Sequence, residues 1–359
     1  MVTTDEAEPG TRGQPLDVLY VASWYPSKED PVRGTFVRAH ARAAASVNNV
    51  SVLTASTSRA TSVDEGCEAE PPVRWVTVPA LPGLLRKLDF VLLTVRLVVG
   101  GLRMARMRRP DVIHGNTYET ALACGIVGRL LLVPVVVSEH YSGINTHTLT
   151  RARALFARAG YRLVDRSLPV TRELQGAMGR YGISTPATVV PNAVDTTIFH
   201  PGPEASRSSR ATITFVGRLV ELKGVDLLLR ALHASDSMPE LRLCVVGAGP
   251  QRSELEGLAQ ALGLGQQVEF LGQMPQSEIA DLLRTSSLLV LPSWTESLPC
   301  VVLEALCCGV PVVSTRVGGL PAVIDDDNGR LVEPGNVGDL AQALSGCLAT
   351  PFDSAAIAQ

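Results

Sequence analysis

Lysine is nearly missing from this chain. Only Lys28, Lys87 and Lys223 occur, against 29 arginines among 32 basic residues. A lysine kept where arginine is the habit marks Lys223, which sits in a motif described below. Excess positive charge is also missing: 35 acidic residues leave a formal net charge of -3. That argues against a nucleic-acid-binding face, which needs clustered excess positive charge. There is no CxxC pair and no His/Cys spacing of the kind that holds zinc. The seven cysteines are odd in number and mostly lie inside apolar runs (Cys124, Cys244, Cys307, Cys308), as small core residues of a reducing compartment do. No stretch approaches the roughly 20 apolar residues that span a bilayer. Met1 to Gln14 is acidic and polar, without the apolar core of a secretory signal. Cytoplasmic residence is the expectation.

What is present is a chain long enough for two domains and apolar enough to fill them. It has 359 residues, 46% of them hydrophobic, so wholesale disorder is excluded. Short β-branched runs alternate with helical patterns twice over. The first half predicts strands at Asp17–Ser23, Val50–Thr54, Val73–Val78, Asp111–His114, Val133–Ser138, Ser167–Val170 and Thr188–Val190. The second half predicts them at Thr212–Val216, Leu241–Val246, Gln267–Leu271, Leu288–Leu291, Val310–Ser314 and Gly329–Val332. Continuous apolar strands separated by helices imply parallel sheets covered on both faces. Val225, Leu228, Leu229 and Leu232 recur at helical spacing, and Ser277 is a plausible N-cap before Ile279 and Leu282. Residues 201–210 are polar and rich in breakers and read as a linker. The fold class is therefore α/β, with an N-terminal domain at 15–200 and a C-terminal one at 211–350. In such sheets ligands bind at the C-terminal strand ends.

The most informative motif follows the Leu288–Leu291 strand. Glu296 and Glu304 are eight positions apart, with Ser297, Leu298, Pro299 and Cys300 between them and Gly309 beyond. A helix is expected from Ser297 to Cys308, with Pro299 in its first turn and Gly309 at its C-terminal end. Its free amides and positive dipole end form a seat for a diphosphate. Carboxylates at the mouth and one to two turns inside would grip hydroxyls on either side of it.

Other motifs close around this one. Phe215-Val216-Gly217-Arg218 runs on to Leu222-Lys223-Gly224 at the end of a strand. Gly217 permits a tight turn and close backbone approach, and Arg218 and Lys223 supply fixed cations for developing phosphate charge. Gly34 before Thr35 lets backbone approach a phosphate from the first domain. His140 ends the Val133–Ser138 strand beside Glu139, whose task is either to orient His140 or to face an acceptor. His114 ends another strand and reads as structural. Gly247-Ala248-Gly249 is an incomplete dinucleotide fingerprint, with Ser253 near the place of the third glycine, and reads as a strand-to-helix turn.

Glu296 to Glu304 resembles the E-x7-E signature of retaining glycosyltransferases of GT-B architecture, specifically family 4. Gly217-Arg218 to Lys223-Gly224 is similar to that family's G-R-x5-K-G phosphate motif, and Pro191-Asn192-Ala193-Val194-Asp195 to its domain-junction stretch, with Ala193 in place of glycine. The resemblance implies two Rossmann-like domains facing across a cleft, and transfer of a sugar, with retention, from a nucleoside diphosphate sugar to an acceptor hydroxyl. By it Glu296 contacts the donor sugar, Glu304 the ribose, Arg218 and Lys223 the diphosphate, and His140 the anomeric region. Gly217, Ser297, Leu298 and Cys300 join the donor cradle, Gly34 faces it, and Met274 lies on the loop beside the nucleobase. The 190–201 stretch reads as hinge structure. No cofactor and no metal are implied: the donor is a UDP-, GDP- or ADP-sugar, and two cations and a helix end do the work of a metal. The acceptor is left open among glycans, lipid-linked sugars and small molecules. The family's closing C-terminal helix would begin near Pro351.

Asp325-Asp326-Asp327-Asn328-Gly329 imitates a D-x-D metal motif but ends in a turn signal and reads as a solvated loop. Residues 84–109 carry seven basic residues among Leu92, Leu93, Val95 and Val99. They are either a covering helix or a basic amphipathic helix in peripheral contact with a membrane. Two other activities share the expected fold: a sugar-nucleotide epimerase or hydrolase, and a non-catalytic nucleotide-sugar-binding subunit.

Overall fold

The computed structural model describes residues 14–28, 30, 33–56, 71–77, 89–202, 211–235 and 241–359. Two six-stranded parallel sheets organise the chain. The first has the order β3-β2-β1-β4-β5-β6, from β1 (Asp17–Ala22), β2 (Asn49–Ser56), β3 (Val73–Thr77), β4 (Val112–Asn116), β5 (Val135–Glu139) and β6 (Arg166–Pro169). The second has the order β12-β11-β10-β7-β8-β9, from β7 (Thr212–Val216), β8 (Arg242–Val246), β9 (Val268–Gly272), β10 (Leu288–Leu291), β11 (Val312–Thr315) and β12 (Gly329–Val332). Each sheet reverses its winding beside its first strand, between β1 and β4 and between β7 and β10. Such a switch point opens a crevice at the C-terminal strand ends.

The helices are α1 (Thr35–Ala45), α2 (Asp89–Met107), α3 (Tyr118–Leu131), α4 (Ser142–Asn145), α5 (Arg151–Tyr161) and α6 (Arg172–Arg180) in the first lobe. In the second they are α7 (Val225–His233), α8 (Arg252–Ala261), α9 (Gln276–Thr285), α10 (Cys300–Cys307), α11 (Val337–Ala349) and α12 (Ser354–Ile357). The continuous apolar runs are buried on both sheet faces as expected: all four residues of β10 are fully buried. The second lobe has one core, and the two faces of the first sheet make two.

Several expectations need correction. Thr188–Val190 is not a strand. It runs beside β6 through an isolated bridge of Ala187 to Ser167 and two amide bonds, and Pro186 and Pro191 on either side remove donors a longer ladder needs. β11 starts at Val312 rather than Val310, immediately after Pro311. Ser277 lies inside α9, whose N-cap is Pro275. The helix expected from Ser297 is α10, three residues shorter at its start, with Pro299 as N-cap. Gly309 does close it, at φ 71°, and the Val310 amide reaches back to Ala305. Residues 203–210 of the expected linker, 84–88 of the basic segment and Val78 lie outside the described residues.

Candidate functional site

The ends of β7 and β10 build the centre of the site. After β7 the chain makes a 3-10 turn, Glu221–Lys223, and Gly224 at φ 64° starts α7. A Cβ on Gly224 would stand 2.2 Å from the Pro292 carbonyl, so this close approach of the turn to the end of β10 needs glycine. The Trp294 amide bonds the Leu222 carbonyl and closes the approach. The result is a contact the sequence did not announce: Lys223 Nζ lies 2.5 Å from Glu296 Oε1. Ser293 Oγ donates to the same oxygen at 2.7 Å. Glu296 is buried, while the Lys223 side chain keeps 24% exposure and stays open to the cleft. The Arg218 side chain is exposed and makes no hydrogen bond or ion pair with any described residue.

A glycine pair after β11, which the sequence motifs do not single out, carries the loop below Glu296. Gly318 is at φ 53°, and a Cβ there would stand 2.3 Å from the Glu296 carbonyl. The Gly319 amide donates to the Ser297 carbonyl at 2.7 Å. Ser297 and Leu298 therefore sit in a pinned loop before α10, outside the helix expected to contain them. No described carbonyl receives the amides of Ser297, Leu298 or Cys300, so these donors stand beside the partially positive N-terminal end of α10. Leu298 has a second role: its side chain is buried in the core of the first lobe.

Glu304 lies on α10. Burial pushes its carboxyl up to about 7, and a hydrogen bond from the Gln276 side chain acts in the opposite sense. Arg38 on α1 reaches across and donates from Nη2 to Gln276 Oε1 at 3.3 Å. The two lobes thus meet beside Glu304. Met274 is half-buried on the loop between β9 and α9.

The first lobe contributes Gly34, at φ 72° and N-terminal to α1, where a Cβ would collide with the Trp24 backbone at 2.7 Å. His140 follows β5. Its Nδ1 lies 2.9 Å from Asn192 Oδ1, and its Nε2 is buried with no partner. Burial, followed by the neighbouring His40, lowers its pKa to about 3, so the ring is neutral. Glu139 does not face the cleft. It is fully buried and accepts four bonds, from the amides of Tyr118, His140 and Tyr141 and from the Tyr161 hydroxyl. It fixes the backbone on which His140 sits. His114 is structural, bonded to Ser138 Oγ at 2.8 Å and packed on Tyr20.

Asn192 is more than hinge structure. Its Nδ2 donates to the Leu298 carbonyl at 2.6 Å while Oδ1 faces His140. Asn145 Nδ2 reaches the Glu296 carbonyl and Ser297 Oγ, both at 3.3 Å. The crossing chain then buries Phe199 in the core of the second lobe. The sequence held a signal for Asn192, its place in the junction motif, but no periodicity marks Asn145, Ser293 or Gln276.

Two readings of the turns stand in the geometry. The Gly247-Ala248-Gly249 turn is a backbone crossing, where Cβ atoms on Gly247 and Gly249 would overlap the carbonyls of Gly217 and Leu219. The aspartate run is closed on itself, with the Asp325 amide on Asn328 Oδ1, the Asp327 amide on Asp325 Oδ1 and Arg330 paired to Asp326.

Two Rossmann-like lobes with a site between their strand ends define the GT-B class. The backbone superposes on Anabaena HepE in complex with UDP and glucose with TM-score 0.74 at 20% identity, over 96% of this chain and 97% of that one. For sucrose-phosphate synthase from Thermosynechococcus elongatus the TM-score is 0.73 at 23% identity, over 95% and 91%. Residues 34–198 match the model of Glycosyltransferase Family 4, and residues 198–357 that of Glycosyl transferases group 1. The chain is 32% identical over 311 residues to D-inositol 3-phosphate glycosyltransferase 2 of Catenulispora acidiphila, covering 78% of this chain and 72% of the relative. It is 38% identical over 238 residues to a phosphatidylinositol N-acetylglucosaminyltransferase subunit of Arabidopsis thaliana, covering 64% and 52%. The chain spans about half the length of the first curated relatives it matches. It belongs to the family 4 (group 1) glycosyltransferases.

Proposed function

We propose that this chain is a retaining glycosyltransferase that moves a sugar from a nucleoside diphosphate sugar to an acceptor hydroxyl. The observation that carries the reading is the Lys223–Glu296 pair beside the free amides of Ser297, Leu298 and Cys300. An anion-seeking cation, an amide-lined helix end and a buried carboxylate lie within one crevice. The diphosphate takes Lys223, Arg218 and the amides, so that charge developing on the leaving group meets fixed donors without a metal. Glu296, held by Ser293, then faces the hydroxyls of the transferred sugar. Glu304 receives the ribose, and Met274 lies along the base. Gly34 and His140 close the site from the first lobe.

The donor-binding domain in this reading is 211–350, and the acceptor side is 15–200. That Anabaena HepE was solved with UDP and with UDP-glucose supports a uridine donor as the first to try. The family's inositol-phosphate and phosphatidylinositol enzymes support a phosphorylated or lipid-linked acceptor.

Contact with an anionic membrane fits the first lobe. Among the described residues no helix is long and apolar enough to cross a bilayer. α2 exposes Val91, Val95 and Val99, one turn apart, next to exposed Arg96, Arg103 and Arg106. The Arg153 guanidinium sits 5.4 Å over the Phe90 ring, which brings the arginines of α5 beside them. The two helices hold six arginines and one acidic residue, Asp89, a composition suited to an anionic interface.

The test is thermal unfolding with UDP, GDP and ADP, for the native chain and Glu304→Ala. Ligand at about 100 times its dissociation constant adds roughly 2.7 kcal/mol to the folded state. One nucleotide should raise the melting temperature, and the variant should lose the rise. Donor turnover without any acceptor would instead identify a hydrolase or epimerase.

A further inference from the structure

We propose that Asn192 is a positioning residue, holding His140 in its neutral Nδ1–H form and tying that state to the docking of the 296–298 loop. Asn192 Nδ2 lies 2.6 Å from the Leu298 carbonyl, which can only accept. That bond fixes which end of the amide is nitrogen, a choice heavy-atom positions alone leave ambiguous. The oxygen therefore faces His140 Nδ1 at 2.9 Å. An amide oxygen can only accept, so Nδ1 carries the proton.

His40 does not upset this. Its Nε2 lies 3.3 Å from the same oxygen and 3.3 Å from the Ala193 amide. The oxygen has two lone pairs, so His140 keeps its bond whichever contact His40 makes. A neutral imidazole protonated at Nδ1 has a bare lone pair at Nε2. That atom is buried and has no partner in the protein. His140 is thus presented as a hydrogen-bond acceptor, built to receive an O–H group. Phe36 packs against the ring at 4.8 Å between centroids and restricts its rotation.

The second half of the proposal follows from where Leu298 belongs. It is on the loop between Glu296 and α10, in the second lobe, yet its side chain fills the core of the first. If the lobes part, the Leu298 carbonyl leaves Asn192, the amide is free to turn, and His140 loses the partner that selects its tautomer. One side chain so links closure around the donor to the state of the histidine. The proposal rests on the donor reading above for what the O–H belongs to, a sugar or acceptor hydroxyl.

The experiment needs no variant to begin. Long-range 1H–15N spectra of the donor-free chain should show His140 protonated at Nδ1 and bare at Nε2; the reverse pattern overturns the proposal. In Asn192→Ala the Nε2–H form should appear, and turnover should fall about 100-fold with the donor KM much less changed. Unchanged tautomer and turnover in this variant overturn it as well. Asn192→Asp keeps an acceptor for Nδ1–H but has nothing to donate to Leu298. It should retain the tautomer, move the acid limb of kcat/KM upward through the added carboxylate, and still lose turnover. The spectra are read without substrate. The expected tautomer in a chain that binds no nucleotide would leave the assignment of His140 standing and remove the donor reading instead.

Discussion

Lys223 and Glu296 are 73 residues apart in sequence and 2.5 Å apart in space. They follow neighbouring strands of the second sheet, β7 and β10, which pair in parallel at its switch point. In the donor-free chain the lysine neutralises a buried carboxylate. In the proposed donor reading, a diphosphate arriving in the crevice would compete for the same ammonium and leave Glu296 to the sugar hydroxyls.

Removing the lysine should therefore have two consequences. Lys223→Ala strands the Glu296 carboxylate, at a cost of about 2 kcal/mol in folding free energy, and lowers kcat/KM about 100-fold or more. Denaturant unfolding and donor kinetics measure these separately. In a double-mutant cycle with Glu296→Gln the stability terms should be non-additive, because each change breaks the same contact. Additive stability losses would mean the pair is not formed in solution.

Glu304 should make nucleotide binding depend on pH near neutrality. Its carboxyl sits at about 7 in the free protein, and ribose hydroxyls donate better to the ionised form. Affinity should rise between about pH 6 and pH 8 and rise less in Glu304→Gln, by calorimetry of both proteins across that range. For folding the sign is opposite. The raised pKa favours the folded state below the unfolded value near 4.5, and that contribution is lost as pH rises through 7. Glu304→Gln should consequently gain stability relative to the native chain at pH 8 compared with pH 5.

Gly318→Ala should damage the site without replacing a charged residue. The position combines φ 53° with a carbonyl 2.3 Å from the new methyl. Backbone strain of that kind costs on the order of 1–3 kcal/mol. The Glu296–Leu298 loop must shift to relieve it. Melting temperature should fall, and nucleotide affinity with it. A variant that loses stability alone would place the loop outside the donor site.

The basic face of the first lobe should bind vesicles rich in anionic lipid and ignore zwitterionic ones. Replacing Arg96, Arg103 and Arg106 together by Gln should weaken co-sedimentation by roughly 3 kcal/mol, about 1 kcal/mol for each arginine, and raised salt should weaken it in the native chain. Turnover of a water-soluble acceptor should be unaffected. Equal binding of the triple variant would leave α2 as a covering helix.

Much of this was legible in the residues. Strand runs such as Leu288–Leu291 and Thr212–Val216 carry their own burial, because an uninterrupted apolar segment of that length has to be covered on both faces. Gly309 stops α10 because the left-handed turn there needs glycine. Proline, by contrast, misled at a fine scale. Pro299 is expected in the first turn, and its extended backbone, φ -70° and ψ 126°, makes it the N-cap instead. Glu296, Lys223 and His140 lie just beyond the C-terminal ends of their strands and Glu304 on the helix that follows β10, which the order of elements already implied.

What the sequence could not hold were the partnerships across long separations. Local periodicity contains no term for Lys223 meeting Glu296, Asn192 joining His140 to Leu298, or Arg38 reaching Gln276. Those depend on which strands become neighbours and on how the two lobes pack, and both are decided by burial summed over the whole molecule. The sequence by itself determined two parallel α/β lobes and the chemical groups at their strand ends. Only the tertiary structure decided which of those groups hold one another and which, like His140 Nε2 and the Arg218 side chain, have no partner among the described residues.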